Sequence, residues 1–308
     1  MNHVDIILSV YNGEKYLKEQ LNSIFSQTHQ NFKLIIRDNG STDISPEILK
    51  SYSLKYPDKV FIDPNHKQIL PLYLSFSALL NFSTSPYVMF CDADDVWLER
   101  KIEKSLSKIQ DLEATHSKLT PCLVFSDLYI VDQSLNVVSN SMFRFQSLKP
   151  DNMKLNYLLA QDIACGNTYI LNQSLLKLIN PIPHGAGMHD IWASLVAVSL
   201  GKVSYLKEPL ILYRQHGNNV CGSVTIIQKS WWYLKRIKSI RSKIDEKFQI
   251  ARVFSENFSY LLSDPDKKII REFLNIHKAN YFQKRKIIFK NKFYFNTLLG
   301  TIAFLIFV

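Results

Sequence analysis

Three carboxylates fall within four residues at Asp92-Ala93-Asp94-Asp95, directly after the apolar run Tyr87-Val88-Met89-Phe90-Cys91. Like charges held this close repel unless a cation compensates them. Carboxylate oxygens are hard ligands that suit Mg²⁺ or Mn²⁺ shared with a bound molecule's phosphates. The same residues would also serve as an acidic turn ahead of a helix beginning near Trp97 or Glu99, so position must decide between the two readings. A second polar group, Asp38-Asn39-Gly40-Ser41-Thr42-Asp43, follows the apolar stretch at 32–37. Gly40 permits a tight turn, the hydroxyls and Asp43 can cap a following helix, and Asp38 can accept hydrogen bonds from a base or ribose. The chain has no GxGxxG or GxxxxGK[ST] phosphate loop, so the charge of a bound diphosphate would need another partner. A metal on Asp94 is the available one. Asp190 follows the small-residue loop His184-Gly185-Ala186-Gly187-Met188-His189 and is either a general base or a helix N-cap. Arg214, Gln215 and His216 close a short apolar run at 210–213, where their polar ends can face a diphosphate; His216 is either a further metal ligand or a hydrogen-bonded structural histidine. Trp97 and Trp192 are candidates to floor a sugar pocket, with core packing as the equal alternative.

The elements that must carry these groups alternate. Strands are expected at 4–10, 32–37, 60–62, 87–91 and 122–130, and helices at 14–26, 45–56, 72–82 and 99–113, which is the pattern of an α/β fold with a mainly parallel sheet between helices. In such a sheet ligands bind at the carboxyl ends of the strands. The three polar groups at 11–13, 38–43 and 92–95 all sit at such ends. A helix is expected near 153–161 and another from Asp190 to Leu200, and the chain is helical in period beyond 224.

The 308 residues are 46% hydrophobic and 21% charged, which excludes a disordered chain, a disulfide mini-scaffold and a collagen-like repeat. The net charge of +10 is unevenly placed. Residues 1–223 hold 20 Lys+Arg and 21 Asp+Glu, whereas residues 224–308 hold 17 and 6. A neutral body with a basic end speaks for a localised electrostatic contact and against a nucleic-acid groove on the body. Cys91, Cys122, Cys165 and Cys221 lie 31, 43 and 56 residues apart with no CxxC pair, as expected of buried thiols in a reducing compartment. The N-terminus runs straight into a strand with no basic start, so the body is expected to stay in the cytoplasm.

Taken in order, the motifs resemble a known family. Ser9-Val10-Tyr11-Asn12-Gly13, Ser26-Gln27-Thr28 and the 38–43 loop are similar to the start of family 2 glycosyltransferases of the GT-A fold, and Asp92 to Trp97 followed by Lys101 looks like that family's DxDD segment. His189-Asp190-Ile191-Trp192 and the stretch Pro209 to Asn219 look like the C-terminal motifs of its rhamnosyltransferase-like branch, which builds bacterial surface polysaccharides. The resemblance spans about residues 4–222. It implies a GT-A type Rossmann-like sheet, a dTDP- or UDP-linked sugar donor, a divalent metal (Mg²⁺ or Mn²⁺) and an inverting single displacement. It places Ser9, Tyr11, Asp38 and Asn39 at the nucleoside, Asp92 near the ribose, Asp94 on the metal and Asp190 as base. Asn39 stands where many members have a second Asp, so base recognition is expected to run through an amide.

The expected domains are a catalytic body at 1–223 and a helical basic extension at 224–308. Lys-Arg-Lys-Ile-Ile-Phe-Lys-Asn-Lys at 284–292 precedes 16 largely apolar residues, and a helix of that length reaches only ~24 Å against a hydrocarbon core of ~30 Å. An in-plane or partly inserted segment is expected, with cations drawn to anionic lipid by ~1 kcal/mol each; a strained spanning helix starting near Ile287 and a buried C-terminal helix packed on the domain or on a second subunit are the alternatives. The partners expected are a nucleotide-sugar, a lipid-linked glycan acceptor and the cytoplasmic membrane face. A nucleotidyltransferase would carry a glycine-rich basic loop near the N-terminus, which is absent. A non-enzymatic binding module leaves the acidic loops unexplained.

Overall fold

Strands made almost wholly of Ile, Leu, Val and Phe have no face to offer water, and they form where both sides are covered. β1 (Val4–Val10) and β4 (Tyr87–Cys91) are of this kind: every residue of β4 is buried, and every residue of β1 except Ser9. β1 lies between β4 and β2 (Phe32–Asp38), parallel to both, and β3 (Val60–Ile62) continues parallel beyond β2. The crossovers between these strands carry α1 (Leu17–Phe25), α2 (Ser45–Lys55) and α3 (Leu72–Leu80). Register pairs Val10 with Asp38 and Leu8 with Cys91, so the three polar loops leave the sheet at one edge. The structure is a computed structural model that describes residues 2–65, 68–216 and 237–308.

Beyond β4 the sheet turns mixed. β6 (Cys122–Val131) and β8 (Tyr169–Asn172) run antiparallel to each other, and β8 is antiparallel to β4. β9 (Lys202–Arg214) is parallel to β6, β5 (Val96–Trp97) is antiparallel to β9, and β7 (Val137–Ser139) is antiparallel to β6. The order is β3-β2-β1-β4-β8-β6-β9-β5, with β7 beside β6. α4 (Lys101–His116) packs on β6, β8 and β9. The expected α/β architecture, a parallel core flanked by helices, is the one that forms. Sequence alternation missed β5, β7 and β8, which have two to four residues each; the partners of β5 and β8 are also distant in the chain.

The remaining helices are α5 (Met142–Phe145), α6 (Leu155–Leu158), α7 (Gln173–Ile179), α8 (His189–Leu200), α9 (Ile237–Phe258), α10 (Asp264–Asn275), α11 (Tyr281–Asn291) and α12 (Leu298–Phe307). The helix expected at 153–161 is the single turn α6. Packing divides the chain into two units, one of Met1–Met142, Cys165–Ile182 and Gly201–Gly222, the other of Phe143–Ala164, Pro183–Leu200 and Ser223–Val308. This division differs from the boundary expected at residue 223. The second unit has an aromatic core of its own: Phe248 stacks on Phe273 at 4.6 Å, Phe273 meets Phe293 at 5.1 Å, and Trp192 of α8 meets Phe254 and Phe258 of α9 at 5.8 and 5.6 Å. Those contacts engage five aromatic side chains of the C-terminal stretch. α10 starts on Ser263, whose hydroxyl accepts from the Asp266 N–H, and α11 on a reciprocal Asn280–Gln283 capping box. Cys91 and Cys122 are buried thiols and Cys165 is partly exposed, while Cys221 lies outside the described residues, as does the expected motif segment 217–219.

Candidate active site

In the first unit the loops after β1 and β2 are sewn together. The Asn12 N–H donates to Ser41 Oγ (2.9 Å), the Thr42 N–H to Asn12 Oδ1 (2.8 Å), the Gly13 N–H to Ser45 Oγ (2.8 Å) and the Glu14 N–H to Asp43 Oδ2 (3.0 Å). Burial works against the Asp43 charge, but hydrogen bonds from Ser45 and the Glu14 N–H outweigh it and hold the carboxyl below its ordinary range. Asp38 is buried at the end of β2 and accepts from the Ser41 N–H. Gly40 takes a left-handed φ of +89° with Ile69 so close that a Cβ would sit 2.6 Å from its side chain. Ser9 shares a 2.7 Å hydrogen bond with Ser75 of α3. Tyr11 presents its ring to solvent, 61% exposed.

Asn39 behaves differently from the expectation that its amide reads a base. Its Nδ2 donates to the Leu70 carbonyl (2.7 Å) and its Oδ1 accepts from the Leu70 N–H (2.9 Å), so the amide pins the loop ahead of α3. Arg37, buried in β2, secures the same loop by its ion pair with Asp63 and a hydrogen bond to the Gln68 carbonyl (2.6 Å).

The acidic loop after β4 is drawn against the end of β9 by the β5–β9 pairing of Val96 with Leu212 and Trp97 with Ile211. As a result His216 Nε2 comes to 2.8 Å from Asp94 Oδ2, and the Arg214 N–H donates to Asp95 Oδ1 (3.2 Å). Asp92 and Asp94 are part-exposed at this edge, whereas Asp95 is fully buried and accepts from Asn167 Nδ2 (2.6 Å). Burial, with the charges of Asp92 and Asp94 adding to it, pushes the Asp95 carboxyl well above the usual carboxylate range. Asp95 is thus a fastening of the loop, leaving Asp92 and Asp94 as the carboxylates at the edge. The Ser26-Gln27-Thr28 segment fastens its far end: Gln27 donates to the Leu98 carbonyl (2.8 Å) and accepts from the Ile102 N–H (3.0 Å).

Lys101 lies beneath this loop with its Nζ fully buried, donating no hydrogen bond and 3.6 Å from the Trp97 ring centroid. Desolvation pushes its amine down to about 7 against the opposing pull of Cys91, Asp95 and Asp92. Trp97 is 2% exposed and its N–H of the main chain donates to Ser23 Oγ (3.0 Å). Trp192 is 1% exposed within the aromatic core of the second unit. Packing accounts for both indoles, and neither offers a face to a sugar. Arg214 is likewise buried, with its guanidinium on protein partners.

Asp190 belongs to the second unit. It stands in the first turn of α8, part-exposed, with Oδ1 accepting from the Ile191 N–H (2.8 Å). The loop before it is shaped by Gly185 (φ +81°) and Gly187 (φ +75°), which press against Gln249 and Ile250 of α9. Burial pushes the neighbouring His189 imidazole down, opposed by Asp190. The roles of Glu19, Gln133, Asn167 and Leu70 had no local signal in the sequence, since each meets its partner across 31 to 195 residues of chain.

Among the described residues no group of three or more His, Cys, Asp and Glu side chains converges; Asp94 and His216 are a carboxylate and an imidazole that meet at this edge. A carboxylate oxygen and an imidazole nitrogen are both ligands for Mn²⁺, and Mg²⁺ favours the oxygen. Such a pair fits an ion whose remaining positions are filled by phosphate oxygens and water.

Comparison with known proteins bears on the family and the fold. The chain is 28% identical over 231 residues to an uncharacterized glycosyltransferase of Nostoc, covering 70% of this chain and 66% of that protein. It is 25% identical over 287 residues to a dTDP-rhamnosyl transferase, RfbG, of Shigella flexneri, covering 83% and 92%. In structure it is similar to S. aureus TarS 1-349 in complex with UDP, with a TM-score of 0.59, 19% identity and 89% and 71% coverage. It is similar also to the mannosyltransferase PcManGT of Pyrobaculum calidifontis in complex with GDP-Man and Mn²⁺, with a TM-score of 0.56, 14% identity and 98% and 78% coverage. The profile of glycosyl transferase family 2 matches residues 5–176, more than half of the sequence, and the chain belongs to that family.

Proposed function

We propose that this glycosyltransferase moves one hexose or deoxyhexose from a dTDP- or UDP-linked donor to a hydroxyl of a lipid-linked oligosaccharide or polysaccharide, with inversion at the anomeric carbon. The observation that carries the reading is the Asp94–His216 contact of 2.8 Å at the same sheet edge as Tyr11 and Asp38. Tyr11 stacks on the base, and Ser9, Asp38 and Asp92 serve the nucleoside. Asp94 and His216 hold Mn²⁺ or Mg²⁺, which when bound neutralises charge developing on the leaving diphosphate. Asp190 accepts the proton of the acceptor hydroxyl as its oxygen closes on the anomeric carbon, because a sugar hydroxyl is a poor nucleophile while it keeps that proton. One base and one displacement give inversion.

The likeness to the rhamnosyl transferase over 83% of the chain supports dTDP-rhamnose as donor; UDP-glucose and UDP-galactose are compatible with every residue named. The basic end of the chain supports work at the cytoplasmic membrane face on a lipid-linked acceptor, and no helix among the described residues is long and apolar enough to cross a membrane. The test is a panel of dTDP-rhamnose, UDP-glucose and UDP-galactose against a lipid-diphosphate sugar acceptor, with Mn²⁺ or with chelator. Transfer from one donor that stops on chelation is expected. Turnover undiminished by chelator would overturn the metal assignment, and hydrolysis of nucleotide without sugar transfer would overturn the reaction.

A further inference from the structure

Arg214 makes contacts that a diphosphate ligand would not need. Its Nε donates to the Asp94 carbonyl (3.0 Å), Nη1 to the Gln133 carbonyl (2.6 Å), and Nη2 pairs with the Glu19 carboxylate. The Tyr16 ring lies under the guanidinium with its centroid 4.3 Å from Cζ. The Arg214 main-chain N–H holds the Asp95 carboxylate at 3.2 Å. One residue thus grips Asp94 by its backbone and Asp95 by its side chain, fixing the peptide from which the Asp94 carboxylate projects. Two residues further on, His216 meets that carboxylate, and its ring packs 5.0 Å from the same Tyr16. The guanidinium offers five N–H donors in a rigid fork, and only that geometry serves two carbonyls and a carboxylate at once.

We propose that Arg214, held by Glu19 and Tyr16, is a positioning residue that sets the Asp94–His216 pair for its metal, and that it does not bind the diphosphate itself. The proposal rests on the reading of Asp94 and His216 as metal ligands. It follows a general rule of metal sites, in which groups behind the ligands fix their orientation and their loss costs about 10–100-fold in metal affinity. Glu19 is the informative partner because it is half exposed on α1, so its neutral amide is tolerated by the fold.

The experiment separates metal affinity from nucleotide affinity in the full chain. Free Mn²⁺ is followed by its electron paramagnetic resonance signal with saturating UDP or dTDP present, and nucleotide binding is followed by ligand-observed NMR in chelator. Arg214→Lys keeps the charge and loses the fork; Glu19→Gln keeps the shape and loses the ion pair. Mn²⁺ affinity is expected to fall about 10-fold or more in Arg214→Lys and about 3-fold or more in Glu19→Gln. Metal-free nucleotide affinity should stay within about 2-fold of the parent in both, as expected of a group that acts only through the metal ligands. Unchanged Mn²⁺ affinity in both variants overturns the proposal. A loss of metal-free nucleotide affinity in either variant also overturns it and returns Arg214 to the diphosphate. If the unaltered protein binds nucleotide but no Mn²⁺, the metal reading fails beneath it; if it binds neither, the nucleotide-sugar reading fails as well.

Discussion

At the residue scale the carboxylates divide by burial. Asp94 and Asp190 are part-exposed, while Asp95 is enclosed and tied to Asn167 and Arg214. Asp190→Asn is expected to lower sugar transfer by about 10²–10⁴-fold, the usual worth of a general base, with nucleotide binding retained. Initial-rate kinetics decide this, and a variant with parental turnover removes Asp190 as base. Lys101 gives a pH prediction. Its amine is pushed down to about 7 in the folded protein but holds its proton to the ordinary 10.5 when unfolded. Between these values the unfolded state binds the extra proton, so stability rises with pH across the window, and the cost of burial is felt in full below it. Lys101→Met should therefore be the more stable protein near pH 6, by on the order of a few kcal/mol, with its advantage shrinking toward pH 10. Thermal unfolding of both proteins from pH 6 to 10 measures the gap; a gap independent of pH would refute a neutralised lysine. Asp38, Asp92 and Asp94 were legible in the sequence because a polar residue after a buried strand has one place to go. The partners of Asn39 and Arg214 were not, because each amide or guanidinium closes on main-chain atoms brought near only by the finished sheet.

At the scale of elements, the parallel half of the sheet could be read from its apolar runs, and its observed bounds lie within a few residues of those expected. The mixed half could not. β5 has two residues and β8 four, too short to show a period, and their partners are more than 30 residues away. The two-residue β5 nevertheless brings Asp94 to His216, so an element without a sequence signal controls the candidate metal pair. The loop before α8 offers a test of the same kind in the second unit. A methyl on Gly187 would lie 2.6 Å from Ile250 Cδ1, in a backbone conformation of φ +75°. Gly187→Ala should cost about 1–2 kcal/mol for the left-handed strain, with the contact adding to it. It should also lower turnover, because this loop leads into Asp190. Adding Ile250→Val removes the clashing carbon and should restore part of both stability and rate, since the contact is with the end of a flexible side chain. Thermal melts and kcat of the single and double variants check this. If the second substitution brings no recovery, the loop is not braced on α9 as described.

At the scale of the whole molecule the positive excess belongs to residues 224–308, yet those residues do two kinds of work. Phe248, Phe254, Phe258 and Phe273 are buried in the second unit, where they pack against one another and on Trp192. The aromatic tail is therefore partly a core, which composition alone could not separate from a membrane-binding segment. Among the described residues, α11 and α12 carry several side chains that lie outside that core. Phe282 is 82% exposed and Phe289 53%, among Lys284, Arg285, Lys286, Lys290 and Lys292, and Ile302 and Ile306 of α12 are also exposed. Arg285 donates to the Leu305 carbonyl, so the basic helix and the apolar one are joined. A surface of exposed aromatic rings beside lysines is what an anionic bilayer interface binds: the rings supply apolar burial and each cation about 1 kcal/mol near the lipid surface. The full chain is therefore expected to sediment with vesicles containing anionic phospholipid, far less with neutral ones, and to be released as NaCl rises through the range where the Debye length shortens below about 10 Å. Phe282→Ser with Phe289→Ser should weaken binding without changing transfer to a water-soluble acceptor, because neither ring is among the residues assigned to donor or base. Equal sedimentation with neutral and anionic vesicles, or parental binding by the double variant, would mean that this surface does not hold the protein at the membrane.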